Sequence, residues 1–301
     1  MRTQFKFTIQ ATYQSFGGAV CAGAILLLAS SAQAQNLYEA DSGSGNIYEY
    51  TPGGEQSTFA SGLDGPIALA FNSAGDLFEA DGGSGNIYEF TPGGARSTFA
   101  SGLEPYGVAF NSAGDLFEAD GSGNIYEFMP GGGQSTFASG LHPWGLAFNS
   151  AGNLFEGDGS GNIYEFTPGG VKSTFASGLN NPHGLAFNSA GDLFVADGSS
   201  DSIYEFTLGG VQSTFASGLS VPAGLAFNSA GDLFEADGFG GNIYEFTPGG
   251  ARSTFASGLD TPVGLAFQGE TLPVPEPSGL GLLAVGATAL LARLRRRGAR
   301  V

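Results

Sequence analysis

Four short runs of apolar and aromatic residues follow one another along this chain in fixed order, as "GLAF", "DLFEAD", "NIYEF" and "STFAS". Each is rich in aromatic residues and bounded by turn formers, which is the pattern of strands. No stretch of the body keeps a helical period long enough for a partner helix or coiled coil. Between the first two runs "NSAG" supplies polar residues and a glycine for a short hairpin, and "TPGG" sets proline before glycine as a type II turn requires. Each unit therefore predicts four antiparallel strands.

"STFASGL" begins at Ser57, Ser97, Ser135, Ser173, Ser213 and Ser253, a spacing of 38 to 40 residues, so the unit recurs in six copies. A single sheet of this size leaves apolar residues on both faces and needs a neighbour on each side. An open stack and a closed ring both provide that, and the ends of the body choose between them. Its start, "NLYEAD" from Asn36 to Asp41, is a second run; its last repeat stops after the first run, at Gly264 to Phe267. Together they complete one unit. Pairing them predicts an all-β, six-bladed β-propeller over residues 35–269, closed by a clasp that removes open sheet edges.

The unit "PHGLAFNSAGDLFVADGSSDSIYEF" resembles the NHL repeat and the related gluconolactonase-like propellers, whose blades share P-x-G-apolar-A, a turn, then an "ADxxxxxI" step. The resemblance spans roughly residues 36–268 and implies the fold. Such propellers host lactonases, lyases, hydrolases and plain binding modules, so it does not fix an activity. His183 follows its proline much as a histidine does in streptogramin lyase-like propellers. Gluconolactonase-like enzymes would set a metal-binding asparagine in the proline-x-glycine step. Here Tyr106, Trp144, His183, Ala223 or Val263 stands there, which counts against a metal hydrolase.

The ends change the picture of where the propeller works. Residues 1–34 read as a signal peptide: Arg2 and Lys6, an apolar run from Ala19 to Ala29, then Ala32-Gln33-Ala34, with cleavage after Ala34. The alternative, a membrane anchor, needs ~20 apolar residues, more than this run holds. Cys21, the one cysteine, leaves with the peptide, so the body has neither a disulfide nor a thiolate. Residues 270–277 form a linker ending in Pro275-Glu276-Pro277, and residues 278–301 carry an apolar segment followed by Arg293, Arg295, Arg296, Arg297 and Arg300. This order resembles the PEP-CTERM sorting tail of Gram-negative bacteria. The resemblance implies transient inner-membrane anchoring, cleavage by an exosortase-type enzyme, and sorting to the cell surface or extracellular matrix. The arginines fit cytoplasmic retention. A permanent membrane helix is the other reading, but about 15 apolar or small residues rise only ~22 Å against a ~30 Å bilayer core.

Of 28 acidic residues only Glu270 and Glu276 lie outside residues 35–269, and of ten basic ones only Arg96, Lys172 and Arg252 lie within them. Phosphate binding needs the opposite sign, so nucleic acid is excluded as a partner. Divalent cations such as Ca2+, or an extracellular polysaccharide or protein, remain compatible with a monomeric body of this charge.

Strand alternation places "NSAG" and "TPGG" on one end of the ring and the "ADGSGN" and "SGLxxPxG" loops on the other. The first end is nearly the same in every blade. The second varies, and the place where near-identical copies differ is the candidate site. It offers His142 and His183 as candidate catalytic bases. Tyr106, Trp144, Glu104, Asp64 and Asp260 are candidate ligand contacts. Asp41, Asp81, Asp120, Asp158, Asp197 and Asp237 recur once per blade; they form either an acidic ring able to gather calcium or six loop caps accepting backbone N–H bonds. Glu79, Glu118, Glu156 and Glu235 of "FEAD", and Glu89, Glu127, Glu165, Glu205 and Glu245 of "IYEF", lie mid-strand between blades, where they need donors or carry raised pKa values. The expectation is a surface- or matrix-sorted propeller that binds a ligand or partner at its varied end. The alternative is a lactonase- or lyase-like enzyme using His142 or His183, with a divalent metal.

Overall fold

The computed structural model describes residues 35–269. The segments read above as a signal peptide, a Pro-Glu-Pro linker and a sorting tail lie outside the described residues. The described residues form six four-stranded antiparallel sheets and no helix. Blades 2 to 6 begin with innermost strands Pro66–Phe71, Pro105–Phe110, Pro143–Phe148, Pro182–Phe187 and Pro222–Phe227, and each runs outward through three further strands in chain order. Blade 1 is composite. Its innermost strand, Pro262–Phe267, pairs with Leu37–Asp41 in the register Leu37 to Phe267 and Glu39 to Leu265, and the N–H of Gln268 donates to the Asn36 carbonyl at 3.0 Å. The innermost strands touch one another in an unbroken cycle, so the ring is closed by the clasp that the incomplete ends predict.

One aromatic motif stitches every seam. The second residue of each second strand, Tyr38 or a phenylalanine, meets two rings edge-on, one on the outermost strand of its own blade and one ending the innermost strand of the next. Phe155 lies 5.1 Å from Phe175 and 5.0 Å from Phe187, and Phe234 repeats this against Phe255 and Phe267 across the clasp, at 5.0 Å each. Edge-to-face pairs at this spacing add about 0.5–1.5 kcal/mol each beyond their burial. The inner stitch partners sit at the "NSAG" end, so that end repeats because its side chains do structural work in every blade.

At the opposite end the innermost strands approach closely. A Cβ at Gly145 would collide with the His183 carbonyl oxygen, and one at Gly184 with that of Ala223. The glycine of each proline-x-glycine step is therefore a spacing device. It sets the x residues of successive blades side by side around the channel.

Candidate functional site at the channel mouth

A cavity of about 650 Å3 runs along the channel, lined mainly by apolar residues of the six innermost strands. Its mouth at the varied end is a ring of x residues: Ile67, Tyr106, Trp144, His183, Ala223 and Val263. Half of this ring is aromatic. The Tyr106 and Trp144 ring centroids lie 4.5 Å apart at 36°, and Trp144 and His183 stack at 4.9 Å and 27°. Each ring lies against the glycine that follows the recurrent aspartate of its own blade: a Cβ at Gly121 would come within 2.8 Å of Tyr106, and one at Gly159 within 2.9 Å of Trp144 Nε1. The "ADG" step thus makes a floor on which a flat side chain can rest.

His183 is half-buried beside this stack, and the Asn181 side-chain amide donates to its Nε2 at 2.7 Å, leaving the ring proton on Nδ1. Burial holds the imidazole below the ordinary histidine range, partly opposed by the nearby Asp197 carboxylate. The ring is therefore neutral near pH 7. Asn181 adopts a left-handed φ of 69°, and Val221 and Thr261 do the same at the matching place in the next two blades, at 57° and 68°. Such conformations cost about 1–3 kcal/mol for non-glycine residues, so backbone strain gathers at this rim.

The structure separates the two histidines. His142 precedes its proline, is exposed, and does not line the cavity; His183 follows its proline and does. Asp64, Glu104 and Asp260 are likewise exposed and outside the cavity wall. Ile67, Ala223 and Val263, which sequence reasoning did not select, belong to the wall. For Ala223 and Val263 the signal was the proline-x-glycine position itself; Ile67 stands at the matching place between Pro66 and Ala68.

The six recurrent aspartates act as loop clamps. Asp81 accepts from the Ser84 N–H at 3.0 Å and the Asp64 N–H at 2.8 Å, and Asp41 accepts from Ser44 at 2.9 Å and Asp260 at 2.8 Å. Asp120 and Asp158 repeat this with Ser122 and Glu104, and with Ser160 and His142. Asp197 holds Asn180 and Asp237 holds Ser220. Each clamp ties the turn that ends its own strand, the loop that enters its innermost strand, or both. Among the described residues no three histidine, cysteine, aspartate or glutamate side chains gather as a metal site. Asp41, Asp81, Asp120 and Asp158 thus cap their own loops, whereas the side chains of Asp197 and Asp237 accept backbone N–H bonds only from the entering loop.

The mid-strand glutamates divide into two sets: Glu89, Glu127, Glu165, Glu205 and Glu245, on the third strands of blades 2 to 6, are only half-buried, whereas those of the second strand are enclosed between blades. Glu39, Glu79, Glu118, Glu156 and Glu235 are fully buried, and neither oxygen of any of them has a hydrogen-bond partner. Burial pushes each carboxyl up to about 9, with the neighbouring aspartate adding to the effect. In blade 5 the matching position is Val195, which is just as buried.

Trp144 is the only tryptophan of the chain, so its fluorescence reports on this mouth alone. Protonating the stacked imidazole is expected to quench it, with a midpoint below that of a free histidine because burial disfavours the charged ring. An acid titration of emission should show this step in the parent and lose it in His183→Gln. A midpoint at or above the free-histidine value would contradict the burial of His183.

These features define a six-bladed β-propeller with an aromatic channel mouth. The family model for the NHL repeat matches residues 179–202, the stretch that holds His183. No curated protein matches the sequence. Among solved structures the chain is similar to one in a nidogen/laminin complex, at 20% identity and a TM-score of 0.71, covering 78% of this chain and 98% of that one. It is similar to a streptogramin B lyase at 16% identity and 0.61, covering 76% and 91%, and to a putative gluconolactonase at 18% and 0.62, covering 68% and 82%. At these identities the likeness is one of fold.

Proposed function

We propose that this chain is a binding propeller that takes a ligand, or a protruding group of a partner, at its varied end. The observation that supports this most is the Tyr106–Trp144–His183 stack at the mouth of an apolar cavity of about 650 Å3, a volume suited to a small molecule. Aromatic rings left half-exposed on a surface are interaction anchors more than core fillers. The sequence ends support a place for it: export through the N-terminal segment, then sorting to the cell surface or matrix through the Pro275-Glu276-Pro277 tail. Its likeness to a streptogramin B lyase and a putative gluconolactonase is one of fold and carries no activity with it, and the one side-chain hydrogen bond to His183 among the described residues comes from Asn181.

Saturation-transfer NMR with a mixed fragment library tests the reading. Fragments that bind the parent are expected to lose their signal with a Tyr106→Ala, Trp144→Ala variant of unchanged melting temperature. If every fragment signal survives that double substitution, the mouth is not the binding site.

A further inference from the structure

The two ends of the ring differ in what they expose. Innermost strands run from the varied end to the "NSAG" end, so the body leaves the ring there: Gly269 follows Phe267, and Gln35 accepts from the N–H of Ser229 in the blade 6 hairpin at 3.0 Å. Both ends of the body emerge on one face. The "TPGG" turns stand on that face too, and they depart from their repeat in three blades. Blades 1, 2 and 6 read Thr51-Pro52, Thr91-Pro92 and Thr247-Pro248, with Glu55, Ala95 and Ala251 behind the glycines. Blade 3 has Met129 in place of the threonine, blade 4 has Val171 behind the glycines, and blade 5 has Leu208 in place of the proline and Val211 behind the glycines. Each departure adds apolar bulk and turns it to solvent: Leu208 is 77% exposed, Val171 and Val211 67%, Met129 45%. Among the described residues the other large apolar side chain this exposed is Phe239, at the varied end.

Blades 3, 4 and 5 are consecutive in the ring, and blade 1, from which the chain leaves, faces blade 4 across the channel. Exit and apolar tips thus occupy opposite sides of one face. Residues 270–277 span at most about 29 Å before the apolar segment begins, so a bilayer holding that segment is within reach of this face. Exposed charge divides the same way. Arg96, Lys172 and Arg252 stand here, each over a tyrosine ring at 4.1 to 4.9 Å, with Glu55 as the exposed acid. Asp76, Asp115, Asp192 and Asp232 of this end are half-buried, each bonded at 2.8 to 3.2 Å to the asparagine that opens its hairpin. Asp64, Glu104, Asp201 and Asp260 are exposed on the varied loops, where no lysine or arginine stands among the described residues.

We propose that the exit face rests on a lipid bilayer: Met129, Val171, Leu208 and Val211 enter its interface, the C-terminal apolar segment tethers the opposite side, and the aromatic mouth is turned away from the membrane. This rests on that segment entering a bilayer, as its apolar run and the arginines after it imply, and adds the face that meets the lipid. Separate apolar tips on successive hairpins form no groove for a helix, but a fluid surface lets each tip find its own burial. The tether makes a weak contact sufficient, because it sets a high effective concentration. Lys172 directly follows Val171, so an apolar side chain can enter while the base beside it meets a headgroup phosphate.

Flotation of the full chain with phosphatidylcholine vesicles, followed by quenching with lipids brominated in their acyl chains, tests the face. With Trp144→Phe removing the native tryptophan, Leu208→Trp is expected to lose about half or more of its emission to brominated lipid, while the parent, whose tryptophan is Trp144, loses little. Adding Val171→Asn and Val211→Asn to that reporter is expected to return about half of the lost emission, because fewer apolar tips hold the face down. Should Leu208→Trp fail to fold, Val211→Trp replaces it, with Leu208→Asn taking the place of Val211→Asn. An unquenched reporter, whether its tips stay bare or meet a second copy, overturns the proposal. So does quenching that the two asparagines leave unchanged, since the new tryptophan then enters on its own account, and so does equal quenching of the parent. A chain that fails to float has lost the tether as well; one that floats with an unquenched reporter keeps the tether and loses only the contact.

Discussion

Raising the pH from 5 to 8 is expected to lower the stability of the propeller steeply, and Glu118→Val is expected to blunt the fall. The five buried glutamates have folded pKa values of about 9 against an ordinary 4.5. The folded chain therefore keeps their protons while the unfolded chain releases them. Stability is full below the unfolded value, declines as pH rises between the two, and levels off above about 9. Within that window a single such group costs at most on the order of 1.4 kcal/mol per pH unit, and the five together cost well under five times that, because the full sum would exceed the stability of an ordinary domain, about 5–15 kcal/mol. Glu118 is the cleanest probe, because burial and Asp120 both raise its pKa and no base relieves it. It pairs with Val108 and Tyr126, much as Val195 pairs with Leu185 and Tyr204, so valine has a precedent in the same molecule. Denaturant melts at pH 5, 6.5 and 8 should show a gain from Glu118→Val that grows by about 1 kcal/mol or more per pH unit. Flat stability across this range, or a Glu118→Val effect that does not change with pH, would mean the carboxyls are solvated or partnered in solution.

Removing the clasp is expected to abolish the monomeric fold. A chain ending at residue 260 lacks the innermost strand of blade 1, while one ending at residue 269 keeps it. Leu265 and Phe267 are 7% and 3% exposed, and losing their burial costs about 3–6 kcal/mol together. The Phe234–Phe267 stitch and the whole pairing with Leu37–Asp41 go with them. That loss is comparable to the total stability of an ordinary domain, about 5–15 kcal/mol. It also opens a sheet edge ready to pair with a second chain. Circular dichroism melts and light scattering should show a cooperative monomer for the longer chain and an unfolded or strand-swapped product for the shorter. A monomeric melt within a few degrees of the longer chain would show that the ring holds without its clasp.

The blade was legible because its signals are local. Alternation, turn residues and a 38-to-40-residue period depend on neighbours in sequence, and the incomplete first and last units named the closing pair. The buried glutamates were legible too, since their mid-strand place implied either partners or a raised pKa. For the same reason the aspartates allowed two readings: one carboxylate per blade suits a cap and a cation ring alike until the loops are placed. Only the fold shows Asp81 reaching across to Asp64, 17 residues away.

Sequence alone determined that six similar sheets must pack in a ring and that their individuality lies at one end, because strand period and turn chemistry act over a few residues. Tertiary structure decided which of those individual residues meet. Tyr106, Trp144 and His183 stand 38 or 39 positions apart and become a stack only when the ring closes and glycine lets adjacent strands touch. His142 and His183 differ by which side of a proline they occupy, and that difference turns one outward and leaves the other lining the channel.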